Sequence, residues 1–289
     1  MASRQYDKLE IDEFGHHLIT NGDLDPVYLA LINITEDKNW VKRFLLAYWC
    51  SYHVGVSCYL ADQSEAFSYW NELMLWAEND EALCPVPGRW PRGQERRHAR
   101  GKLAVEMVTR LKGVYGSPEQ AVDKIACLNM EGVLPCAAVM KRVKDHYMFG
   151  DWIAFKVADM AYNVLGAEID FDQAGVFMFK DPREGAKRFW RAKMGLPENA
   201  EPKDEAVMID GVVNHLVEVF KDLKAPPLYD RPIGILEVET VLCKWKSHLN
   251  GHYPLFNDTL EIHAGLEPWH GVSGSAKAFS DAMPGQDKR

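Results

Sequence analysis

Five arginines, one histidine and one lysine fall within the fifteen residues Gly88-Arg89-Trp90-Pro91-Arg92-Gly93-Gln94-Glu95-Arg96-Arg97-His98-Ala99-Arg100-Gly101-Lys102. Guanidinium groups grip phosphate oxygens through paired hydrogen bonds, and glycines let backbone N–H groups approach an anion. A helix N-terminus adds unpaired donors and a favourable dipole. Arg92, Arg96, Arg97, His98 and Arg100 are therefore candidates to hold phosphate or pyrophosphate, Arg96 and Arg100 sharing a helix face by their spacing. An ordinary solvated face, partly neutralised by Glu95, is the competing reading. The anion is favoured because cations this dense repel one another unless something negative compensates them.

A second pattern lies at Met148-Phe149-Gly150-Asp151-Trp152-Ile153-Ala154-Phe155-Lys156-Val157-Ala158. It resembles the helix-hairpin-helix of DNA repair glycosylases, in which a glycine turn precedes an apolar, alanine- and lysine-containing helix. Such a hairpin aims backbone donors at DNA phosphates and positions a duplex without reading its sequence, which makes Phe149, Gly150 and Lys156 candidate backbone contacts. That family has two glycines in the turn; this chain has one. About twenty residues further on, where those glycosylases keep a catalytic aspartate, stands Glu168-Ile169-Asp170-Phe171-Asp172. Asp170 or Asp172 is a candidate general base, the alternative being a helix or turn cap.

The third pattern is a late helix over Ile233 to Leu249. Spacing places Glu239, Cys243 and Lys246 on one face and Glu237, Lys244 and His248 on another. Either face can present an acid, a base and a cation to a pocket, whereas Glu–Lys pairs at this spacing also decorate solvent faces. A covalent role for Cys243 is disfavoured, because the sequence assigns it no partner histidine.

The elements that must position these groups read as helices. Asp25-Pro26 and Ser117-Pro118-Glu119-Gln120 are start signals, cap followed by proline, the second with glutamine three residues after the cap. Trp40 to Leu60 is one long aromatic-rich pattern, and Ser64 opens a run through Trp76 expected to pack on it. Further helices are expected at Arg96–Leu111, at Pro135–Tyr147 and Trp152–Val164 about the hairpin turn, and at Glu184–Lys193, Asp204–Leu223 and Ile233–Leu249. The only strand candidate is Val176 to Phe179. The expected fold is all-α, one helical domain over 1–270 or two closely joined lobes with the hairpin at 135–164, and a disordered Gly/Ser-rich tail over 271–289.

Composition narrows the class. The net charge of −9 excludes a nonspecific coat for nucleic acid, and the charge is uneven: 3 basic and 8 acidic groups in residues 1–40, 15 and 14 in 41–160, 15 and 20 in 161–289. The six cysteines form no Cys-x-x-Cys pair, so neither a metal site nor disulfides are expected. No apolar run approaches the roughly 20 residues that cross a bilayer, and the start lacks the apolar stretch of a signal peptide, so the chain is expected to stay inside the cell.

Phe44-Leu45-Leu46-Ala47-Tyr48-Trp49-Cys50 with Ser51-Tyr52-His53-Val54-Gly55, then Trp90 to His98, then Glu239-Thr240-Val241-Leu242-Cys243-Lys244 together resemble a phage DNA-modification family. It is the alpha-glutamyl/putrescinyl thymine pyrophosphorylases, or amino acid:DNA transferases. The likeness spans roughly residues 40–260, and the tryptophan-led arginine motif is its most specific part. It implies a glycosylase-like helical fold acting on double-stranded DNA whose 5-hydroxymethyluracil carries a pyrophosphate ester. An amine from an amino acid or polyamine displaces that pyrophosphate, giving a hypermodified thymine in the cytoplasm of the infected host cell.

On that reading the arginine cluster and Lys244 stabilise the leaving pyrophosphate. Asp170, Asp172 or Glu239 deprotonates the amine, and Trp49, Tyr52 or Trp90 stacks on an extruded base. No cofactor beyond the amine co-substrate is implied, and the absence of a P-loop excludes the kinase that would install the pyrophosphate. A helix-hairpin-helix glycosylase and a noncatalytic DNA-binding protein are the rival readings. The single-glycine turn and the arginine motif weigh against the first, and the late polar helix against the second.

Overall fold

A computed structural model describes residues 6–79, 99–171 and 175–285. Among them the fold is all-α, as expected, with fourteen helices and one pair of two-residue strands. In chain order the helices are α1 (Ile11–Thr20), α2 (Pro26–Ile34), α3 (Lys38–Ser51), α4 (Val54–Ala61), α5 (Ala66–Glu78), α6 (Lys102–Val114) and α7 (Pro118–Ile125). There follow α8 (Cys136–Lys144), α9 (Asp151–Leu165), α10 (Lys180–Lys193), α11 (Glu205–Val219), α12 (Ile235–Leu249), α13 (Asn257–Leu266) and α14 (Gly274–Ala282), with strands β1 (Leu134–Pro135) and β2 (Ile169–Asp170). No described helix is long and apolar enough to cross a membrane. The chain divides into two compact units, each discontinuous: described residues of Met1–Pro26 and Phe171–Asp258 form the first, those of Val27–Asp170 and Thr259–Asp287 the second.

In the second unit the aromatic run expected as one helix is broken in two. Tyr52 takes a left-handed φ of +52°, and His53 caps α4. Neither glycine nor proline marks the break; side chains replace the helical hydrogen bonds instead. Ser51 Oγ accepts from His53 N at 3.2 Å, and His53 Nδ1 accepts from Val56 N at 3.2 Å. The Ser117 cap behaves as its sequence signals, Oγ accepting from Gln120 N at 3.2 Å, while the Gln120 carboxamide reaches back to Gly116 N, one residue before the cap. Arg43 ties the helices together, pairing with Glu119 on α7 at 2.8 Å and donating to the Ala61 carbonyl that ends α4. Helix α5 packs chiefly on α6 and also touches α4, the second half of the aromatic run on which it was expected to pack, and its Tyr69 hydroxyl donates to the Arg43 carbonyl of α3.

The His53 ring is wholly enclosed. Burial pushes its pKa from 6.5 down to about 3, and its Nδ1 must stay unprotonated to accept from Val56. The unfolded chain therefore binds this proton more readily than the folded one, and stability falls as pH drops from 6.5 towards 3. Between pH 7.5 and 5.0 this one group costs about 2 kcal/mol. Urea unfolding at the two pH values should show that loss, and His53→Asn, which keeps a capping acceptor, should flatten it; an unchanged slope in the variant would exonerate His53.

The segment beyond Gly271 departs from the tail read from composition. Within it α14 packs on α4, and Phe279, fully buried, stacks on Phe44 with ring centres 5.1 Å apart and planes 8° from parallel. Ser273 Oγ donates to Asp62 Oδ2 at 2.7 Å and anchors the segment. The glycine- and charge-rich sequence hides a small apolar face, Ala276 and Phe279, three residues apart.

The first unit is built on α12. Helices α10 and α11 pack on it, and α10 comes so close that a Cβ on Gly185 would lie 2.4 Å from the Leu242 carbonyl oxygen. The helices expected from Glu184, Asp204 and Ile233 appear, with Asp204 capping α11 through Val207 N. The strand candidate does not: Gly175–Phe177 is one turn of 3-10 helix that buries Val176 and Phe177.

Candidate active site

The two helices expected about the glycine turn are α8 and α9, which pack on each other and are joined by the connection 145–150. Lys144 Nζ bonds Asp151 Oδ1 at 2.9 Å across the turn, and Phe149 is buried beneath it. The left-handed position is Met148, at φ +67°, and not the glycine. Gly150 has φ −81° and ψ −172°, open to any residue, and an added Cβ would meet nothing within 4 Å. Neither backbone nor packing requires glycine there. An N-cap preference is the only internal reason; close approach of a phosphate is the external one. Gly150→Ala should keep folding stability within about 1 kcal/mol and weaken duplex binding roughly tenfold, measured by fluorescence anisotropy across a salt series. Unchanged affinity would remove Gly150 from the interface.

The hairpin closes at its base through the strands. β1 enters α8 and β2 leaves α9, paired in parallel with Leu134 opposite Ile169 and Pro135 opposite Asp170. Asp170 is exposed on this pair, while Asp172 lies outside the described residues. The fifteen residues of α9, at 1.5 Å each, put Asp170 about 20 Å from the hairpin turn. The sequence placed these candidates in one stretch; the fold sets them at opposite ends of a helix. Beside the strands opens a cleft of about 420 Å³, reached by Lys38, Lys42, Asp123, Glu168 and Ile169.

Lys156, expected on the DNA backbone, instead turns inward. Its ammonium bonds the Tyr28 hydroxyl and Asp159 Oδ2, each at 2.9 Å, and Asp159 also accepts from Tyr28 at 2.5 Å and from Asn163 at 2.9 Å. Sequence reading passed over Tyr28, Asp159 and Asn163. The signal was available: Lys156, Asp159 and Asn163 recur at spacings of three and four within an apolar helix, one polar stripe on one face. An aspartate so buried requires donors, and here three converge on it.

The late helix is spoken for internally. Lys244 donates to the carbonyls of Asp23 and Leu24 at 2.7 and 2.6 Å and pairs with Asp258 at 2.9 Å, which uses all three of its hydrogens. This corrects the phosphate role expected for it. Glu237 takes Arg231 through both carboxylate oxygens at 3.0 and 2.7 Å and caps Gly234 N. His248 accepts from Leu9 N and holds the Tyr253 carbonyl at 2.8 Å, so both ring nitrogens are engaged, and burial lowers its pKa. Lys246 bonds Asp181 at 2.7 Å. Glu239 is buried, with the Thr240 hydroxyl 3.3 Å away, and Cys243 is half-buried.

Of the aromatics expected to stack on a base, Trp49 is wholly buried and offers no face. Tyr52 is buried against Tyr48 and Trp152, at ring-centre distances of 4.6 and 4.8 Å. Trp90, Arg92, Arg96, Arg97 and His98 lie outside the described residues; Arg100 is exposed immediately before α6.

A family model described as amino acid:DNA transferase matches residues 4–253. A glycinyltransferase of Pseudomonas phage PaMx11 is 45% identical over 293 aligned positions, covering 98% of each chain. A putrescinyltransferase of Delftia phage PhiW-14 is 26% identical over 237 positions, covering 79% of this chain and 69% of that one.

Proposed function

Because the chain belongs to the amino acid:DNA transferase family, we propose that it replaces the pyrophosphate of pyrophosphorylated 5-hydroxymethyluracil in phage DNA with an amine, inside the infected cell. The observation that carries this reading is 45% identity with a glycinyltransferase over nearly the full length of both chains, together with the putrescinyltransferase likeness. In the reaction the ammonium of the co-substrate first gives a proton to a carboxylate. The freed nitrogen lone pair then forms a bond to the exocyclic methylene as the carbon–oxygen bond breaks, and its electrons leave with pyrophosphate.

Each task has candidates. Arg92, Arg96, Arg97, His98 and Arg100 neutralise the departing charge. Asp170, exposed on β2, or Asp172 takes the proton. Glu239 is less suited, enclosed on α12. Trp90 is the remaining candidate to stack on the base, since Trp49 and Tyr52 are both buried in the second unit.

The deciding experiment incubates the full chain with duplex DNA bearing the pyrophosphorylated base and a panel of amines, then analyses nucleosides by mass spectrometry. Amine adducts are expected. Abasic sites would indicate a glycosylase, and unaltered DNA with every amine a binding protein.

A further inference from the structure

The first unit holds a pocket of its own. It opens between α10 and α11 with a volume of about 750 Å³, and Phe189, Trp190, Met208 and Val212 form its apolar walls. The Phe189 ring stacks on His215, ring centres 5.5 Å apart and planes 23° from parallel. Gly211 lines the same wall, in the middle of the fifteen-residue α11. Glycine is, after proline, the poorest helix former, and nothing internal asks for it here: its φ lies outside the left-handed region, and an added Cβ would meet no atom within 4 Å. What the glycine preserves is the depth of the pocket.

The charged groups around it narrow the ligand. Glu201 spends one carboxylate oxygen on Lys187 at 2.8 Å and the other on Arg191 at 3.0 Å, while Asp204 Oδ1 caps α11 through Val207 N at 3.1 Å. Both carboxylates at the pocket are thus engaged within the protein. Lys193 and Lys203 are exposed at its edge, and neither is in an ion pair among the described residues; Lys193 donates to His215 Nε2 at 3.2 Å. Aromatic and aliphatic walls suit a flat ring, and cations at the mouth suit phosphates attached to it. The volume lies within the roughly 300–1,000 Å³ of small-ligand sites. We infer that this pocket receives the nucleobase once it has left the duplex stack, its ring against Trp190 and its flanking phosphates on Lys193 and Lys203. The inference rests on the transferase reading and deepens it, by giving the extruded base a place in the first unit, whereas Trp49 and Tyr52 are enclosed in the second.

The test plugs the pocket with Gly211→Leu, a change that favours the helix, so the thermal midpoint should hold or rise. Single-turnover transfer to pyrophosphorylated duplex by the full chain should fall at least tenfold, with KM for glycine changed less than threefold. Trp190→Ala should act in the same direction. A second readout needs no transfer: a duplex whose 5-hydroxymethyluracil faces an abasic site costs less to extrude and should bind wild-type protein at least fivefold tighter than the matched duplex. Gly211→Leu should erase that preference while leaving affinity for the matched duplex within threefold. If the plugged protein turns over normally and keeps the preference, the pocket is not the base site. A rise in glycine KM with the preference intact would give the pocket to the amine, and a changed oligomeric state with normal turnover would make it a contact between copies; either overturns the inference. Absence of any adduct with wild-type protein, in contrast, is failure of the transferase reading itself.

Discussion

Lys244→Met should destabilise the protein by about 3–5 kcal/mol, the cost of breaking a buried ion pair from one side. The lysine is 9% exposed and Asp258 3%, and the ammonium spends its hydrogens on that carboxylate and on two backbone carbonyls. Removing it takes away the cation that neutralises Asp258 and two donors from the loop before α2. The Tyr253 ring, centred 5.1 Å from Nζ, loses a cation–π contact as well. Urea denaturation measures the loss. Lys244→Met combined with Asp258→Asn should recover a large part of it, because the second change discharges the stranded group. If the single variant instead unfolds like the wild type and fails only in turnover, Lys244 is a ligand for substrate phosphate after all.

Arg96→Ala should do the reverse, lowering kcat about 10²–10³-fold, as removal of one preorganised electrostatic contact does, with the thermal midpoint unchanged or slightly raised. A clustered arginine facing an anion is relieved of repulsion when it is removed. Single-turnover rates on pyrophosphorylated DNA, read beside a calorimetric scan, separate chemistry from folding. A marked drop in melting temperature with intact specific activity would make the cluster structural. The contrast with Lys244 is the informative part: the same sequence resemblance implied phosphate contacts for both.

The reasons for that divergence show what a sequence can disclose. Start signals with their own local chemistry were readable, as at Ser117-Pro118 and Asp25-Pro26, because cap and proline act within a few residues. Helices α8, α9, α10, α11 and α12 were readable from periodicity. Tyr52 was not, since a left-handed tyrosine held by Ser51 and His53 leaves no mark in an apolar pattern. Nor was α14, whose buried face amounts to Ala276 and Phe279. For the site, spacing told which residues of α12 share a face but not what that face meets. Glu237, Lys244 and His248 each meet partners far off in sequence or around a turn, Arg231, Asp258 and Leu9. Trp49 shows the same limit, an aromatic fit for stacking that the fold encloses completely.

The discontinuity of both units bears on synthesis at the ribosome. The first unit's α1 emerges early but waits for α12 and for Phe220, whose ring fills the space above Gly15. The second unit lacks the ring that stacks on Phe44 until α14, which follows every other described helix in the chain, has been made. Nascent chains therefore carry exposed apolar surface until α12 and α14 have been made. A stop codon at residue 270 would remove α14 and leave the face of Phe44 that Phe279 covers open to water.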